Sequence, residues 1–163
     1  MLLLDEIRQQ PDALERCLAA NLKATKRAHD LLNAAGHVVI AARGTSDNAA
    51  RYAKYVWGSK LGLPVTLAAP SLDTRYAQPP QLAGAAVVGI SQSGQSPDLV
   101  AVLEEARRQG RPTIAIVNDA ESPLADIVDV VIPLHAGSEE SVAATKSYTT
   151  SLLVAAMVTG NTD

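Results

Sequence analysis

Five short apolar runs, each followed by a polar or helical stretch, limit the architectures open to this 163-residue chain. The runs are rich in Val, Ile and Ala and lack polar alternation, which is typical of strands buried on both faces. Strands of this kind, separated by helices, form a parallel sheet with right-handed crossovers. We predict strands at residues 37–42, 65–69, 85–90, 113–117 and 129–134.

Helical patterns fill most of the intervals between these runs. A long amphipathic helix is predicted over residues 11–35, with apolar positions at Leu14, Leu18, Leu22 and Leu32. Two further helices end at Gly62 and Gly110, and the last one, over residues 142–158, is apolar on more than one side. Residues 70–84 are predicted to form a loop with at most one short helix.

These elements predict an α/β fold of three layers, flavodoxin-like, with a five-stranded parallel sheet in the order 2-1-3-4-5. Residues 1–35 are expected to form an N-terminal helical segment that packs on the domain of residues 36–163, within a single domain overall. In this order the first and third strands are neighbours, and their carboxyl ends flank a crevice.

Two hydroxyl-rich loops follow the first and third strands, and we expect them to meet at this crevice. A phosphate group needs several donors already held in place, and helix N-termini supply N–H groups and the positive end of a dipole. Pro97 is suited to begin such a helix. The sequence therefore predicts an anion site that includes Gly44, Thr45, Ser46, Ser91, Ser93, Gly94 and Ser96.

Two other interpretations of these loops stay open. Hydroxyl groups and glycine also make ordinary turns, and Ser96 before Pro97 has the pattern of a plain helix N-cap. Ser93, Asp119 and His135 occur in the chain order of an α/β-hydrolase triad, but the G-x-S-x-G elbow is absent. The hydrolase interpretation is therefore not favoured.

Charge and composition exclude several classes of function. The chain has 14 Lys and Arg against 17 Asp and Glu, and no basic stripe suits a nucleic acid. The single Cys17 and three dispersed histidines provide neither a disulfide nor a metal site, and nucleotide-binding signatures are missing. No apolar run approaches the roughly 20 residues of a membrane span. We expect a soluble, cytoplasmic protein without metal, cofactor, nucleic acid or membrane.

Four motifs resemble the sugar isomerase, or SIS, domain: DEIRQQPDAL at 5–14, RGTS at 43–46, ISQSGQSPD at 90–98 and TKSYTT at 145–150. The likeness covers nearly the whole chain. It points to the first of the two such domains in the isomerase half of glucosamine-6-phosphate synthase and related sugar-phosphate deaminases. Ser96, Gln95 and Ala144 stand where that family often has threonine, glutamate and serine.

The resemblance implies phosphosugar binding, as all or half of a sugar-phosphate isomerase or deaminase acting on hexose or amino-hexose 6-phosphates. Fructose 6-phosphate and glucosamine 6-phosphate are the expected ligands. A non-catalytic phosphosugar sensor is the alternative, and a module that has lost its binding is a third possibility. By motif, the family's phosphate-binding residues correspond to Thr45, Ser46, Ser91, Gln92, Ser93 and Ser96, and Val142 is expected to contact the sugar.

The family's catalytic residues have no evident counterparts here. In the synthase-like proteins a second SIS domain carries the glutamate and lysine of the isomerase site, and neither is assigned in this chain. Leu2 stands where the glutaminase domain has its cysteine, so the chain is not expected to take ammonia from glutamine. The catalytic base therefore stays unknown, with Glu139 as the candidate, beside Glu140 and His135, after the fifth strand.

The C-terminal end of the sequence and the apolar last helix both indicate a partner. The chain stops shortly after that helix, which favours one half of a longer protein over a free-standing single domain. The apolar helix over 142–158 has more apolar surface than one sheet face hides, which predicts a homodimer or contact with a second SIS domain.

Overall fold

A computed structural model describes residues 2–160 and contains one five-stranded parallel sheet in the order β2-β1-β3-β4-β5. The strands are β1 (His37–Ala42), β2 (Val65–Leu67), β3 (Ala85–Ser91), β4 (Thr113–Val117) and β5 (Val130–Pro133). The helices are α1 (Leu2–Arg8), α2 (Gln10–Asn33), α3 (Thr45–Leu61), α4 (Ser71–Thr74), α5 (Pro97–Arg108), α6 (Pro123–Asp126) and α7 (Lys146–Met157). The predicted α/β class and sheet order are confirmed.

The central pairing of β1 with β3 is continuous over six residue pairs, from His37 opposite Ala85 to Ala42 opposite Ile90. The two strands therefore end at the same level. The loops that begin at Arg43 and Ser91 leave the sheet side by side, as the predicted order requires.

Alternate side chains of the strands serve two separate cores, one on each face of the sheet. Val38 and Ile40 pack with the helices α2, α3 and α7, whereas Val39 and Ala41 pack with α5 and α6. Trp57 of α3 anchors the first core, where its indole N–H donates to the Ala155 carbonyl at 2.8 Å. The three layers follow from strands that are apolar on both faces.

Helix α2 buries only part of the predicted leucine face: Leu32 is buried and Leu14 is partly buried. Leu18 and Leu22 are 43% and 54% exposed. The buried face is made of Ala13, Cys17, Asn21, Thr25, Ala28 and Leu32. Small side chains on this face let the helix lie close to its neighbours, and the Asn21 amide donates to the Pro133 carbonyl at 2.7 Å. Leucine spacing alone therefore identified Leu32 correctly, but not Leu18 and Leu22.

Cys17 is buried on this face, as expected for a small apolar side chain. Burial raises the pKa of its thiol to about 11. The thiol is therefore protonated at neutral pH and a poor nucleophile or metal ligand.

Helix α7 begins at Lys146, four residues later than predicted, because residues 138–145 form a loop. The helix packs against both α2 and α3, and its large apolar side chains are at least partly buried. Helices α2 and α3 therefore cover much of the apolar surface that was expected to need a partner. Within residues 2–160, the large apolar side chains exposed on α1 and α2 are instead Leu2, Leu3, Leu4, Ile7, Leu18 and Leu22.

The remaining differences concern short elements. The loop prediction for residues 70–84 is confirmed, with α4 as its one short helix, whereas α1 and α6 were not predicted. No helix in the described part of the chain has the length and apolar character needed to cross a membrane. The division into a segment of residues 1–35 and a domain of residues 36–163 stays a prediction.

The corrected face of α2 gives the first testable prediction. Leu32→Ala removes a side chain that is 0% exposed and should lower the free energy of unfolding by about 2–5 kcal/mol. Leu18→Ala is the matched control, and its effect should stay within about 0.5 kcal/mol because the side chain is exposed. Urea unfolding measures both. Similar losses for the two variants would contradict the observed orientation of the helix.

Candidate functional site

A cavity of about 320 Å³ lies at the adjacent ends of β1 and β3. Its walls come from the two loops after these strands, from the loop that precedes α7 and from the first turn of α7. The lining residues are Arg43, Thr45, Ser46, Ser91, Gln92, Ser93, Ser96, Val142, Ala144, Ser147 and Tyr148. The cavity thus brings together the predicted residues except Gly44, Gly94 and Glu139, which do not line it.

The loop after β3 is held in shape by hydrogen bonds to its own backbone and to the next crossover. The Gly94 N–H donates to the Ser91 hydroxyl oxygen at 3.0 Å. Two backbone groups from beyond β4 also hold the loop. The Asn118 N–H donates to the Gln92 carbonyl, and the Leu124 N–H donates to the Gly94 carbonyl, each at 3.1 Å. The loop is therefore preorganised, and the Ser91 O–H proton remains available to a ligand.

Gly94 is required by both its backbone and its surroundings. Its φ of +63° lies in the left-handed region, and a Cβ added there would lie 2.0 Å from the Ser122 Oγ. Ser122 is 1% exposed, and within the described residues its Oγ has no hydrogen-bond partner. The loop is thus packed down onto α6 with no room for a side chain.

Two of the helices that begin at the cavity, α3 and α5, make no side-chain hydrogen bond at their N-cap residues. Ser96 occupies the N-cap position of α5, but its hydroxyl makes no capping hydrogen bond and lines the cavity instead. Gly44, with φ +57°, occupies the same position in α3 and has no side chain to offer. Ser96 therefore occupies the predicted N-cap position without making a side-chain capping bond. The positive dipole ends of α3 and α5 meet at the cavity.

Arg43 is the charged side chain that the sequence analysis missed. Within residues 2–160 it is the one charged group among the cavity-lining side chains, and it forms an ion pair with Asp98 in the first turn of α5. Its position directly before Gly44, at the exit of β1, was the available signal. A guanidinium carries five N–H donors, so one carboxylate oxygen leaves most of them for an anion.

Glu139, the candidate base, lies beneath the cavity wall and caps α7. Its carboxylate accepts hydrogen bonds from the backbone N–H groups of Thr145 and Ser147, at 2.9 and 3.2 Å, and from both hydroxyls. Burial alone would raise the pKa of this carboxyl, but the four hydrogen bonds together lower it. The carboxylate is therefore ionised at neutral pH and engaged in these four hydrogen bonds. Its catalytic role stays a prediction.

The other titratable candidates also lie away from the cavity walls. His135 is exposed and has a φ of +52°, and Glu140 faces a second cavity beside α1. Asp119 accepts from the Glu121 N–H at 3.0 Å, and of the three residues of the hydrolase interpretation only Ser93 lines the cavity. No three His, Cys, Asp or Glu side chains in the described part of the chain are grouped to hold a metal ion.

The SIS domain model matches residues 31–159, most of the chain and all of the cavity. The chain belongs to the SIS domain family. It is 35% identical over 153 residues to the glutamine–fructose-6-phosphate aminotransferase (isomerizing) of Pyrococcus horikoshii, covering 93% of this chain and 25% of that protein.

Two solved structures share the whole SIS architecture. A protein from Silicibacter pomeroyi has 38% identity and a TM-score of 0.90, over 96% of this chain and 48% of that one. The C-terminal domain of glucosamine-fructose-6-phosphate aminotransferase from Francisella tularensis has 32% identity and a TM-score of 0.86, over 98% and 46%. The chain thus spans about a quarter of the Pyrococcus relative and about half of each solved structure.

The glycine requirement can be tested by substitution. Gly94→Ala should cost about 1–2 kcal/mol in backbone strain and a further 1–3 kcal/mol from overlap with Ser122. Gly110→Ala is the matched control, since its φ of +69° gives the same strain with open space around the Cβ. Urea unfolding compares the two variants. Equal losses would mean that the loop does not rest on Ser122.

Proposed function

We propose that this SIS domain binds hexose or amino-hexose 6-phosphates, such as fructose 6-phosphate or glucosamine 6-phosphate. The observation that carries the proposal is the convergence of hydroxyl groups, two helix N-termini and one guanidinium on a single cavity. The phosphate lies against the loops after β1 and β3, where Thr45, Ser46, Ser91, Ser93 and Ser96 offer donors.

The strength of such a site can be estimated from its donors. Four or five hydrogen bonds to a dianion, at about 1.5–3 kcal/mol each, leave roughly millimolar to micromolar affinity after the costs of association. Affinity in this range suits a metabolite. The fixed loop after β3 reduces the ordering cost, since its backbone bonds are already made.

The sugar is placed on the opposite wall of the cavity. Val142, Ala144 and Tyr148 offer apolar surface there, and Ser147 offers a polar group. Two relatives support this class of ligand, because the proteins from P. horikoshii and F. tularensis both carry fructose 6-phosphate in their names.

A partner is proposed to supply the catalytic base. Within the described residues, the cavity is lined by hydroxyl, amide and guanidinium groups and by no carboxylate or imidazole. Moving a proton between two sugar carbons needs such a base within reach. We therefore assign to this chain the phosphosugar-binding half of an isomerase or deaminase, completed by a second copy or by a second SIS domain in the cytoplasm.

The exposed apolar side chains of α1 and α2 favour a protein partner. Six large side chains between Leu2 and Leu22 are 40–56% exposed, which is unusual for a surface that stays in water.

A phosphosugar sensor without catalysis is the second candidate function. The lack of a carboxylate or imidazole among the residues that line the cavity favours it.

Titration with ligands tests the proposed function and separates the two candidates. Fructose 6-phosphate and glucosamine 6-phosphate should bind, inorganic phosphate should compete with both, and fructose without phosphate should bind at least tenfold more weakly. Turnover of the sugar phosphate supports an enzyme that a second copy of this chain completes, whereas saturable binding without turnover is expected both of the sensor and of a half that needs a second SIS domain. If neither sugar phosphate binds, both candidate functions are refuted.

Arg43 gives a sharper prediction about the phosphate. Arg43→Met should weaken fructose 6-phosphate binding by roughly tenfold or more, because it removes charge-assisted donors and leaves Asp98 uncompensated near the anion. Arg43→Met with Asp98→Asn should regain part of the loss. Arg108→Met, which removes an exposed ion-paired arginine at the other end of α5, is the charge-matched control. Isothermal titration measures all four proteins, and equal affinities for the Arg43 and Arg108 variants would contradict the assignment.

A further inference from the structure

The segment at residues 5–9 takes no part in the proposed binding, yet it contacts the loop that completes the cavity. This loop, residues 138–145, carries Val142 and Ala144 to the cavity wall. Val142 is fully exposed, so packing against other side chains does not fix its position. Its place at the cavity is set by the backbone on either side of it.

Glu6 of α1 holds the backbone directly before Val142. Its carboxylate accepts the Glu140 N–H at 2.7 Å, the Ser141 N–H at 3.3 Å and the Ser141 hydroxyl. Glu6 is 3% exposed, although α1 lies at the protein surface. The Ser141 hydroxyl and then the Glu140 N–H lower the pKa of this carboxyl, so it is ionised when it accepts them.

Lys146 ties the two ends of the same loop together and to the start of α2. Its ammonium is on a side chain that is 3% exposed, and it donates to the Ser138 carbonyl at 2.6 Å. It also donates to the Gln9 Oε1 at 2.7 Å, between α1 and α2. The loop is therefore held at its ends by Lys146 and in its middle by Glu6.

We propose that Glu6 is a positioning residue for the sugar, acting through the backbone of residues 140 and 141. This inference rests on the proposed phosphosugar function. The two halves of the cavity then have separate supports: the loop after β3 is fixed by the sheet and α6, and the backbone before Val142 is fixed by Glu6 of α1. Loss of the Glu6 carboxylate displaces Val142 without disturbing Ser91 or Ser93.

The test uses two ligands that share the phosphate and differ in the sugar. Glu6→Gln should weaken fructose 6-phosphate binding by roughly tenfold, through loss of charge-assisted hydrogen bonds, and should change inorganic phosphate binding by less than about twofold. Ser141→Ala removes the hydroxyl from the other side of the same contact and should act in the same direction. Asp5→Asn, an exposed carboxylate one residue away, is the charge-matched control and should leave both affinities unchanged.

A ligand-free measurement separates this inference from the proposed function. Amide hydrogen exchange at residues 140 and 141 should be faster in Glu6→Gln than in the parent chain and unchanged at residues 92–94. Unchanged exchange at 140 and 141, or equal weakening of both ligands, overturns the positioning role. If the parent chain binds no sugar phosphate, the proposed function falls, and the exchange result still decides whether Glu6 holds the loop.

Discussion

The parallel pairing of β1 with β3 determines where this chain can bind an anion. It places two strand exits at one level, and each exit leads within a few residues into the N-terminus of a helix. Because those helices pack on opposite faces of the sheet, their positive ends converge from two sides on the crevice between them. The loops after these strands add hydroxyl groups to the crevice, and Gly94 lets the loop after β3 pack closely onto Ser122.

The cavity has two walls of different origin. The phosphate wall is continuous with the core, since its loop lies on Ser122 and accepts backbone N–H groups from Asn118 after β4 and from Leu124 of α6. The opposite wall is a loop tied down by single side chains: Glu6, Glu139 and Lys146. The free energy of local opening is smaller where few contacts hold a segment. We therefore expect the sugar wall to open more easily than the phosphate wall. This asymmetry suits a site that holds the phosphate firmly and admits the sugar.

The strands and the meeting of the two hydroxyl-rich loops at one cavity were predictable from the sequence. Strands buried on both faces are unbroken apolar runs, and the predicted sheet order makes β1 and β3 neighbours, so that the loops after them lie side by side. The face of α2 was not predictable, because its burial depends on small residues such as Ala13 and on Asn21 reaching Pro133, 112 positions away. The start of α7 was missed for a similar reason. The cap of that helix is Glu139, whose role depends on the folded loop and not on the neighbouring sequence.

The central claim is that one cavity of this SIS domain receives a phosphate between the exits of β1 and β3. The most direct measurement is a crystal structure with fructose 6-phosphate bound. The phosphate oxygens should lie within hydrogen-bond distance of Ser91, Ser93 and Thr45, with the first two sugar carbons directed toward Val142 and a partner. A phosphate bound elsewhere on the chain, with this crevice empty, would contradict the account.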